Sequence, residues 1–254
     1  MRRALGILLA ALALQVFAEE GEERPPFITT PDAVVERMLE LAGTGPNDVV
    51  MDLGSGDGRI VIAAARKFGA RGVGIELDEK LVAASRENAR LAKVADRVLF
   101  VHGDVLAADL SAASVVTLYL LPSLIQKLQP RLIYELKPGT RIVSHAFSMA
   151  GWRPDRTETV RESTLFLWIV PAEIRGVWRA AGSRLRIDQS YQEIDLEGEL
   201  GGKPLLAARG ALTGHDIAWQ SDGARFRGRL AGEKIVGELE RDGATAPLVL
   251  ERVR

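Results

Sequence analysis

From residue 48 to about residue 170, continuous apolar runs alternate with stretches in which apolar residues recur at helical spacing. Such runs are typical of parallel strands whose sheet is covered by helices on both faces. Strands are predicted at residues 48–53, 72–77, 97–102, 114–120 and 140–147, and helices at residues 31–41, 58–68, 78–93 and 122–136. Two further runs, 157–162 and 164–170, are predicted to form a closing antiparallel pair. This order of elements indicates an α/β fold.

The pattern changes after about residue 174, where polar and apolar residues alternate one by one. The alternation is clear at residues 184–187 and 225–230, and glycine-containing turn sequences recur at intervals of about ten residues. These features predict an antiparallel meander that forms a small barrel or a sandwich. The predicted domains are therefore a sheet domain at residues 31–173 and a β-rich C-terminal domain at residues 174–254. A unit as small as the second can depend on the first for part of its core.

Residues 1–18 have the layout of a signal peptide. Two arginines precede an apolar run of about 15 residues that ends at Ala18, which is shorter than the roughly 20 residues needed to span a bilayer. We expect cleavage after Ala18 and export to the periplasm; the alternatives are an uncleaved membrane anchor and an ordinary first helix. Residues 19–30 are predicted to be a linker, of which residues 19–26 are charged and contain prolines, which predicts a solvated segment. Any membrane association is expected only through this N-terminal segment.

Composition and charge narrow the possible partners. The 254 residues include 33 Lys and Arg against 34 Asp and Glu, a formal net charge of -1. Proteins that bind nucleic acid in bulk usually carry a basic excess, so that class is disfavoured. The chain has no cysteine, which excludes disulfide scaffolds, thiolate zinc sites and cysteine nucleophiles. Its three histidines show no metal-ligand spacing with carboxylates, so no metal is predicted.

A glycine-rich turn between the first predicted strand and the next helix carries the strongest chemical signal. Glycines at alternate positions let the backbone turn tightly and approach a ligand, and the amides of the following helix face the same point. Arg59 stands where a dinucleotide-binding loop would place its last glycine, which disfavours a dehydrogenase. A different nucleotide-like ligand is therefore predicted. The predicted binding residues of the turn are Asp52, Gly54, Ser55, Gly56, Asp57 and Gly58.

This turn resembles the first motif of the class I S-adenosylmethionine-dependent methyltransferases, an acidic residue followed by GxGxG. The resemblance extends to Glu76, at the end of the second strand, and to Asp104, after the third, and covers roughly residues 27–170. It implies a Rossmann-like seven-stranded sheet and S-adenosyl-L-methionine as the cofactor. In that family the first acid and the glycines hold the methionine part; Glu76 would then accept hydrogen bonds from the ribose hydroxyls, and Asp104 would meet the adenine amino group. For each acid alone, a solvated carboxylate or a helix N-cap is the plain alternative.

A narrower resemblance concerns the methyl acceptor. The sequence Pro-Pro-Phe-Ile-Thr-Thr-Pro at residues 25–31, together with the glycine-rich turn, is similar to the non-SET protein-lysine methyltransferases, most closely to the mitochondrial family that modifies the ATP synthase c subunit. This implies a protein lysine as a possible acceptor. Residues 117–122 read Thr-Leu-Tyr-Leu-Leu-Pro, where many nitrogen methyltransferases have Asn- or Asp-Pro-Pro-Tyr. Base and glutamine methylation are therefore disfavoured.

Two side chains are candidates for the catalytic step. A methyl group on a sulfonium is already activated, so the enzyme mainly has to align an electron-rich acceptor and exclude water. A lysine acceptor, whose ordinary pKa is about 10.4, must still be neutral when it reacts. Tyr119, at the end of the fourth strand, could shape the acceptor channel, and His145, at the end of the fifth, could take the proton. A buried core tyrosine and a hydrogen-bonded structural histidine are the plain alternatives.

The leading interpretation is a methyltransferase fused to a β-rich module that positions or recognises an unidentified acceptor. Two other classes stay open from the sequence alone: an exported binding protein that kept the fold and lost turnover, and a scaffold whose β module holds an envelope partner. Acids and glycines at three successive strand ends favour the methyltransferase, because a chain without a cofactor has no physical reason to keep them together.

Overall fold

The structure is a computed structural model that describes residues 28–221 and 223–253. The predicted signal peptide and most of the predicted linker fall on residues 1–27, outside the described residues. Within the described ranges, no helix combines the length and the apolar character needed to cross a membrane.

The first part of the described chain forms the predicted seven-stranded Rossmann-like sheet. Its strands lie in the order β3-β2-β1-β4-β5-β7-β6; the first five are parallel, and β7 and β6 close the sheet as antiparallel strands. A short 3-10 helix, Val105–Ala107, follows β3 and is absent from the sequence prediction. The elements are α1 (Asp32–Leu41), β1 (Val49–Leu53), α2 (Arg59–Phe68), β2 (Arg71–Glu76), α3 (Glu79–Leu91), β3 (Val98–His102), β4 (Val115–Leu118), α4 (Pro122–Tyr134), β5 (Arg141–His145), β6 (Arg156–Val160) and β7 (Ser163–Ile169).

Helices cover both faces of this sheet, as its continuous apolar strands require. Val50 of β1 packs into the layer formed by α1 and α2. Its neighbour Met51 packs on the other side, among residues of α4. Since β2 and β4 lie on opposite sides of β1, the chain reverses its direction of winding there. Open sheets of this type bind ligands beyond the strand ends at such a reversal, here the carboxyl edge of β1 and β4.

The second part of the described chain forms a closed eight-stranded barrel, which decides between the two architectures predicted for it. Strand neighbours run in the order β10-β11-β12-β13-β14-β15-β8-β9. Its interior is filled by a separate apolar cluster that includes Trp178, Trp219 and Phe226, so the barrel has its own core. The strands are β8 (Gly176–Ala180), β9 (Ser183–Ser190), β10 (Glu193–Leu200), β11 (Lys203–Thr213), β12 (Asp216–Ser221), β13 (Ala224–Ala231), β14 (Lys234–Arg241) and β15 (Ala244–Arg252).

The turn between β9 and β10 joins the barrel to the sheet domain. Tyr191 occupies this turn with φ of 53°, a left-handed conformation that is uncommon for a bulky residue. Its ring stacks on Trp152 with centroids 5.5 Å apart, and its hydroxyl accepts a hydrogen bond from Gln129 at 3.2 Å. The next residue, Gln192, donates to the carbonyl of Arg153 at 2.6 Å. Trp152 is 1% exposed, so it anchors this loop and does not line an open cleft.

The barrel lies at the amino edge of the sheet, away from the strand ends that carry the predicted site. Gly214, between β11 and β12, accepts a hydrogen bond from the amide of Ala172 at 2.7 Å. A Cβ atom on Gly214 would lie 3.1 Å from the Cα atom of Gly139, in the loop that precedes β5. The start of β5 is at the amino edge of the parallel strands. The barrel therefore does not form the immediate wall of the carboxyl edge.

Candidate functional site

The predicted glycine-rich turn connects β1 to α2 at the carboxyl edge. Gly54, Gly56 and Gly58 have φ values of 80°, 54° and 81°, which side chains other than glycine rarely adopt. A Cβ atom on Gly54 would also lie 2.6 Å from Cδ2 of Leu120. Gly58 is the N-cap of α2 and offers no side-chain cap; the first amide of α2, that of Arg59, donates to Oδ1 of Asp57 at 3.3 Å, and the next amides of the first turn are the ones that a ligand could receive.

Asp52 is a buried carboxyl group beside this turn. It is 2% exposed, and Oγ1 of Thr117, its partner residue on β4, donates a hydrogen bond to Oδ1 at 2.7 Å. Burial raises the pKa of Asp52 to about 7, and the nearby carboxylates of Glu76 and Asp57 act in the same direction, whereas Thr117 opposes them. In the described chain, hydrogen bonds use only one of the two carboxyl oxygens. A buried carboxyl group with a free oxygen suits a cationic group of a ligand.

Glu76 ends β2 and holds the turn from the opposite side. Its Oε2 accepts a hydrogen bond from the amide of Gly56 at 2.8 Å, and its Oε1 accepts one from the amide of Asp78 at 2.9 Å. Each carboxylate oxygen can accept more than one hydrogen bond, so the carboxylate can still receive the two hydroxyls of a ribose. Binding of the ribose by Glu76 stays a prediction.

Asp57 and Arg59 form an ion pair within the turn, with Nη2 and Oδ2 2.7 Å apart. Burial raises the pKa of Asp57, but the hydrogen bond and charge of Arg59 outweigh this effect, and the net pKa is lowered. Arg59 also donates from Nη1 to the backbone carbonyl of Thr30 at 3.0 Å. The turn is thereby connected to the segment that precedes α1.

The remaining predicted cofactor residues lie on the same edge. Asp104 caps the 3-10 helix, because its Oδ1 accepts from the amide of Leu106 at 2.8 Å. This is the plain alternative for that acid; its contact with adenine stays a prediction. The hydroxyl of Ser55 is buried and has no hydrogen-bond partner in the described chain. An unpaired buried hydroxyl is unusual and marks the turn as a place where a ligand can complete the hydrogen bonding.

The two predicted catalytic residues are in contact with each other. The rings of Tyr119 and His145 have centroids 4.0 Å apart and planes tilted by 33°. His145 is 4% exposed, and its ring nitrogens lie 3.2 Å from Oγ1 of Thr30 and 2.9 Å from Oγ of Ser163. Burial lowers the pKa of His145, so the ring is neutral near pH 7. Since the fold occupies both nitrogens, this arrangement favours the structural alternative for His145 over a general base; Tyr119 is partly exposed.

Sequence reasoning missed three contributors to the site. Thr117 supports Asp52, and its position at the same level of the adjacent strand would have suggested this contact. Ser163 binds His145 from β7, for which the sequence carries no local signal. Thr30 was predicted only as the last residue of the linker; it is 3% exposed and bonded to both Arg59 and His145, and the local sequence carries no signal for these long-range contacts.

The carboxyl edge is rich in acidic side chains. Asp57 pairs with Arg59, but no ion pair within the described residues involves the other acids of this edge. Nor does any group of three or more His, Asp or Glu side chains in the described ranges have the geometry to hold a metal ion. The acids of the edge are Asp52, Asp57, Glu76, Asp78 and Asp104.

The order of the sheet, the acid followed by GxGxG, and the acid that ends β2 together define a class I S-adenosylmethionine-dependent methyltransferase. The model of the ANTKMT methyltransferase domain family matches residues 52–156. A protein-lysine N-methyltransferase of Saccharolobus islandicus is 40% identical over 150 residues, which are 57% of this chain and 93% of that protein. The chain therefore belongs to the same methyltransferase family as this archaeal enzyme.

Two further relatives are informative. The adenine nucleotide translocase lysine N-methyltransferase of mouse is 35% identical over 143 residues, 56% of this chain and 61% of that protein. A crystal structure described as an RNA methyltransferase from Salinibacter ruber, in complex with S-adenosyl-L-homocysteine, is 58% identical, with a TM-score of 0.57, and covers 58% of this chain and 96% of that one. The barrel lies outside the residues that the family model matches.

The cofactor is S-adenosyl-L-methionine, and the chain is a methyltransferase. The residues present fit this cofactor: a turn of glycines at positive φ, an oxygen of buried Asp52 without a hydrogen-bond partner in the described chain, and an unpaired buried hydroxyl on Ser55. When bound, the cofactor supplies a methyl group on a sulfonium. The chain's own residues would bind and orient it: the amides at the start of α2 and the acids Asp52, Glu76 and Asp104 would hold the cofactor, and the partly exposed Tyr119, packed on His145, lies at the adjoining strand end. No strong base is required beyond delivery of a neutral acceptor.

Proposed function

We propose that this enzyme transfers the methyl group to the side-chain nitrogen of a lysine in a protein. Relatives at 35–40% identity carry the names of protein-lysine methyltransferases, one of them from an archaeon and one from mouse. The chain spans nearly the whole archaeal relative and about 61% of the mouse protein. These names describe the relatives; the physical support comes from the charge of the site.

The observation that carries the proposal is the acidic carboxyl edge. Five carboxyl groups lie there; Asp57 is paired with Arg59 and Asp52 is buried with its pKa raised to about 7, so the attracting charge comes from Glu76, Asp78 and Asp104, which form no ion pair within the described residues. Such an edge attracts a protonated lysine during encounter and repels the phosphates of RNA. The partly exposed Tyr119 then offers an aromatic face where the strand ends, which suits an ammonium group and the apolar stem of a lysine.

RNA is the second candidate acceptor because the Salinibacter ruber structure, at 58% identity, is described as an RNA methyltransferase. Two observations oppose it for this chain. The net charge is -1, and within the described residues the acids Glu76, Asp78 and Asp104 of the carboxyl edge form no ion pair, so their charge opposes the approach of phosphates. The second candidate therefore rests on the description of the relative.

The two candidates are separated by incubating the enzyme with S-adenosylmethionine that carries a labelled methyl group, together with total cell protein or total cell RNA. We expect label in material that protease degrades and ribonuclease does not, and methyl-lysine after acid hydrolysis. An Asp52→Asn variant, whose affinity for the cofactor is expected to be lower, serves as the control with reduced label. Label that ribonuclease releases as a methylated nucleotide would instead establish the RNA candidate.

Export of the protein is part of the proposal. Its support is the basic start and apolar run of residues 1–18. Mass spectrometry of the protein purified from an expressing bacterium is expected to find a mature N-terminus at Glu19. A chain that retains residues 1–18 and sediments with membranes would instead support the uncleaved anchor.

A further inference from the structure

Residues 28–31 cross the carboxyl edge before the chain enters α1, and we call them the N-terminal strap. Ile28 and Thr29 are exposed, whereas Thr30 is 3% exposed. Pro31 then begins α1 as its N-cap. Thr30 is therefore the buried residue through which the strap contacts the site.

Thr30 makes two contacts with different parts of the site. Its backbone carbonyl accepts a hydrogen bond from Nη1 of Arg59 at 3.0 Å, and Arg59 is itself paired with Asp57 in the glycine-rich turn. Its hydroxyl lies 3.2 Å from Nδ1 of His145, at the end of β5. One residue thus connects the cofactor turn with the opposite wall of the site, although His145 is 115 positions away in the sequence.

The second contact determines the orientation of His145. The ring is held at Nδ1 by Thr30 and at Nε2 by Ser163, which leaves it no free rotation about its side-chain bonds. Tyr119 lies against this ring, with centroids 4.0 Å apart. An imidazole fixed from both sides is a rigid support for an aromatic ring that is itself partly exposed.

We propose that Thr30 is a positioning residue of the methyltransferase: through its hydroxyl it orients His145, and His145 in turn sets the position of Tyr119 in the acceptor wall. The assignment of Tyr119 to the acceptor wall rests on the proposed function. Cofactor binding does not depend on the Thr30 hydroxyl, because the backbone carbonyl alone bonds Arg59.

The test compares Thr30→Val, which removes the hydroxyl and keeps the shape, with Thr29→Val at the exposed neighbouring position. The chain has three tyrosines and three histidines, so ring signals of labelled protein are few and are assigned with Tyr119→Phe and His145→Gln. We expect Thr30→Val to shift the ring signals of both His145 and Tyr119. Thr29→Val is expected to leave them in place, and Thr30→Ser to restore them.

Kinetics on the methylated protein provide the second readout. Thr30→Val is expected to raise the KM for the acceptor about fivefold, with the affinity for S-adenosylhomocysteine unchanged within about twofold. Thr30→Ser is expected to recover the acceptor KM. Equal losses in Thr30→Val and Thr29→Val, or a loss confined to S-adenosylhomocysteine affinity, would overturn the proposal.

The ring signals need no acceptor, so they separate this proposal from the proposed function. If no lysine is methylated but the Tyr119 signal moves in Thr30→Val, the positioning of Tyr119 by Thr30 through His145 is supported and the assignment of lysine as the acceptor fails. An unchanged Tyr119 signal in Thr30→Val overturns the proposed positioning of Tyr119, whatever the acceptor is. Should Thr30→Val fold poorly, Ser163→Ala releases the same imidazole from its other side, and the same shift of Tyr119 is expected.

Discussion

The sheet domain and the barrel bury polar groups in opposite ways. Of the ten polar or charged residues that are buried in the described chain, all but Gln192 precede the barrel. Several meet at the carboxyl edge, among them Thr30, Asp52, Thr117 and His145. The barrel interior is apolar, and Gln192 belongs to the turn that docks on the sheet domain. Several of the buried polar groups thus gather at the predicted site or at the junction with the barrel.

The barrel exterior and the carboxyl edge of the sheet domain also differ in how their surface charges are paired. Barrel strands carry charged residues that pair across neighbouring strands, such as Arg229 with Asp216 at 2.9 Å and Lys234 with Glu251 at 2.7 Å. The acids of the carboxyl edge are mostly without such partners in the described chain. Compensated charges suit a solvated exterior, whereas uncompensated charges suit a site that receives a cation.

The largest difference in stability between the two regions is expected from Trp178→Ala in the barrel core. Trp178 is fully buried, donates from Nε1 to the carbonyl of Ile174 at 2.8 Å, and packs beneath Arg252. The substitution is expected to destabilise the barrel by about 3–5 kcal/mol in urea denaturation. Binding of S-adenosylhomocysteine should persist, because the barrel lies at the amino edge.

Val236→Ala is the matched control, since Val236 is 44% exposed on the barrel exterior. It is expected to change stability by less than about 0.5 kcal/mol. Simultaneous loss of barrel structure and ligand binding in Trp178→Ala would show that the two regions fold as one cooperative unit and are not independent.

The sequence predicts the barrel's strands well but not its closure. Alternation along β9 and β13 assigns their residues to the inside or the outside, because the side-chain period of a strand is two. Closure depends on β15 meeting β8, where the register pairs only Glu251 with Arg179 and Arg252 with Trp178. No local pattern encodes a contact of two residues between distant strands, so a barrel and a sandwich stayed equally open.

At the site, the sequence predicts residue types and strand ends but not the contacts between them. Asp52 is recognisable beside its glycines, yet its supporting hydroxyl comes from Thr117, 65 positions later. The hydrogen bond between Thr30 and His145 spans 115 positions and begins at a residue that the sequence predicted only as the end of a linker. Such contacts arise from the sheet order and from packing, which only the assembled fold supplies.

The second-largest effect is expected at Asp52, the buried carboxyl group of the sheet domain. Asp52→Asn keeps an oxygen that can accept from Thr117 and removes the negative charge. We expect the affinity for S-adenosylmethionine to fall about 10- to 100-fold, since a hydrogen bond to a charged group is lost. Isothermal calorimetry measures this directly. Asp188→Asn, on the exposed surface of β9, is the control and should bind normally.

The pH dependence of the same residue has a definite sign. The pKa of Asp52 is about 7 in the folded chain, against an ordinary value of 3.8. Between these values the folded chain holds the proton more tightly than the unfolded chain, so this group lowers stability as the pH rises from about 4 to about 7. Asp52→Asn should lack this decline and have a higher Tm than the parent at pH 8. If the Tm difference between Asp52→Asn and the parent were the same at pH 5 and at pH 8, the raised pKa of Asp52 would be contradicted.

A smaller effect is expected at the junction of the two regions. Tyr191→Phe keeps the stacking on Trp152 and removes the hydroxyl that accepts from Gln129. The expected loss of stability is about 0.5–1.5 kcal/mol, measured by thermal unfolding. Tyr134→Phe, at a tyrosine that is 82% exposed on α4, removes the same group without a buried partner and should have no effect. Equal Tm values for both variants would mean that the junction contributes no stability.

The smallest effect is expected from changing the barrel exterior. Arg225, Arg227 and Arg229 share the outward face of β13, and converting all three to Gln removes cations that face acids on the neighbouring strands. Exposed pairs of this kind contribute little, so Tm should stay within about 2 °C. Cofactor affinity and the acceptor KM should not change either, because this face is remote from the carboxyl edge. A raised acceptor KM with unchanged cofactor affinity would instead mean that the barrel recognises the methylated protein, so that acceptor binding would involve both regions.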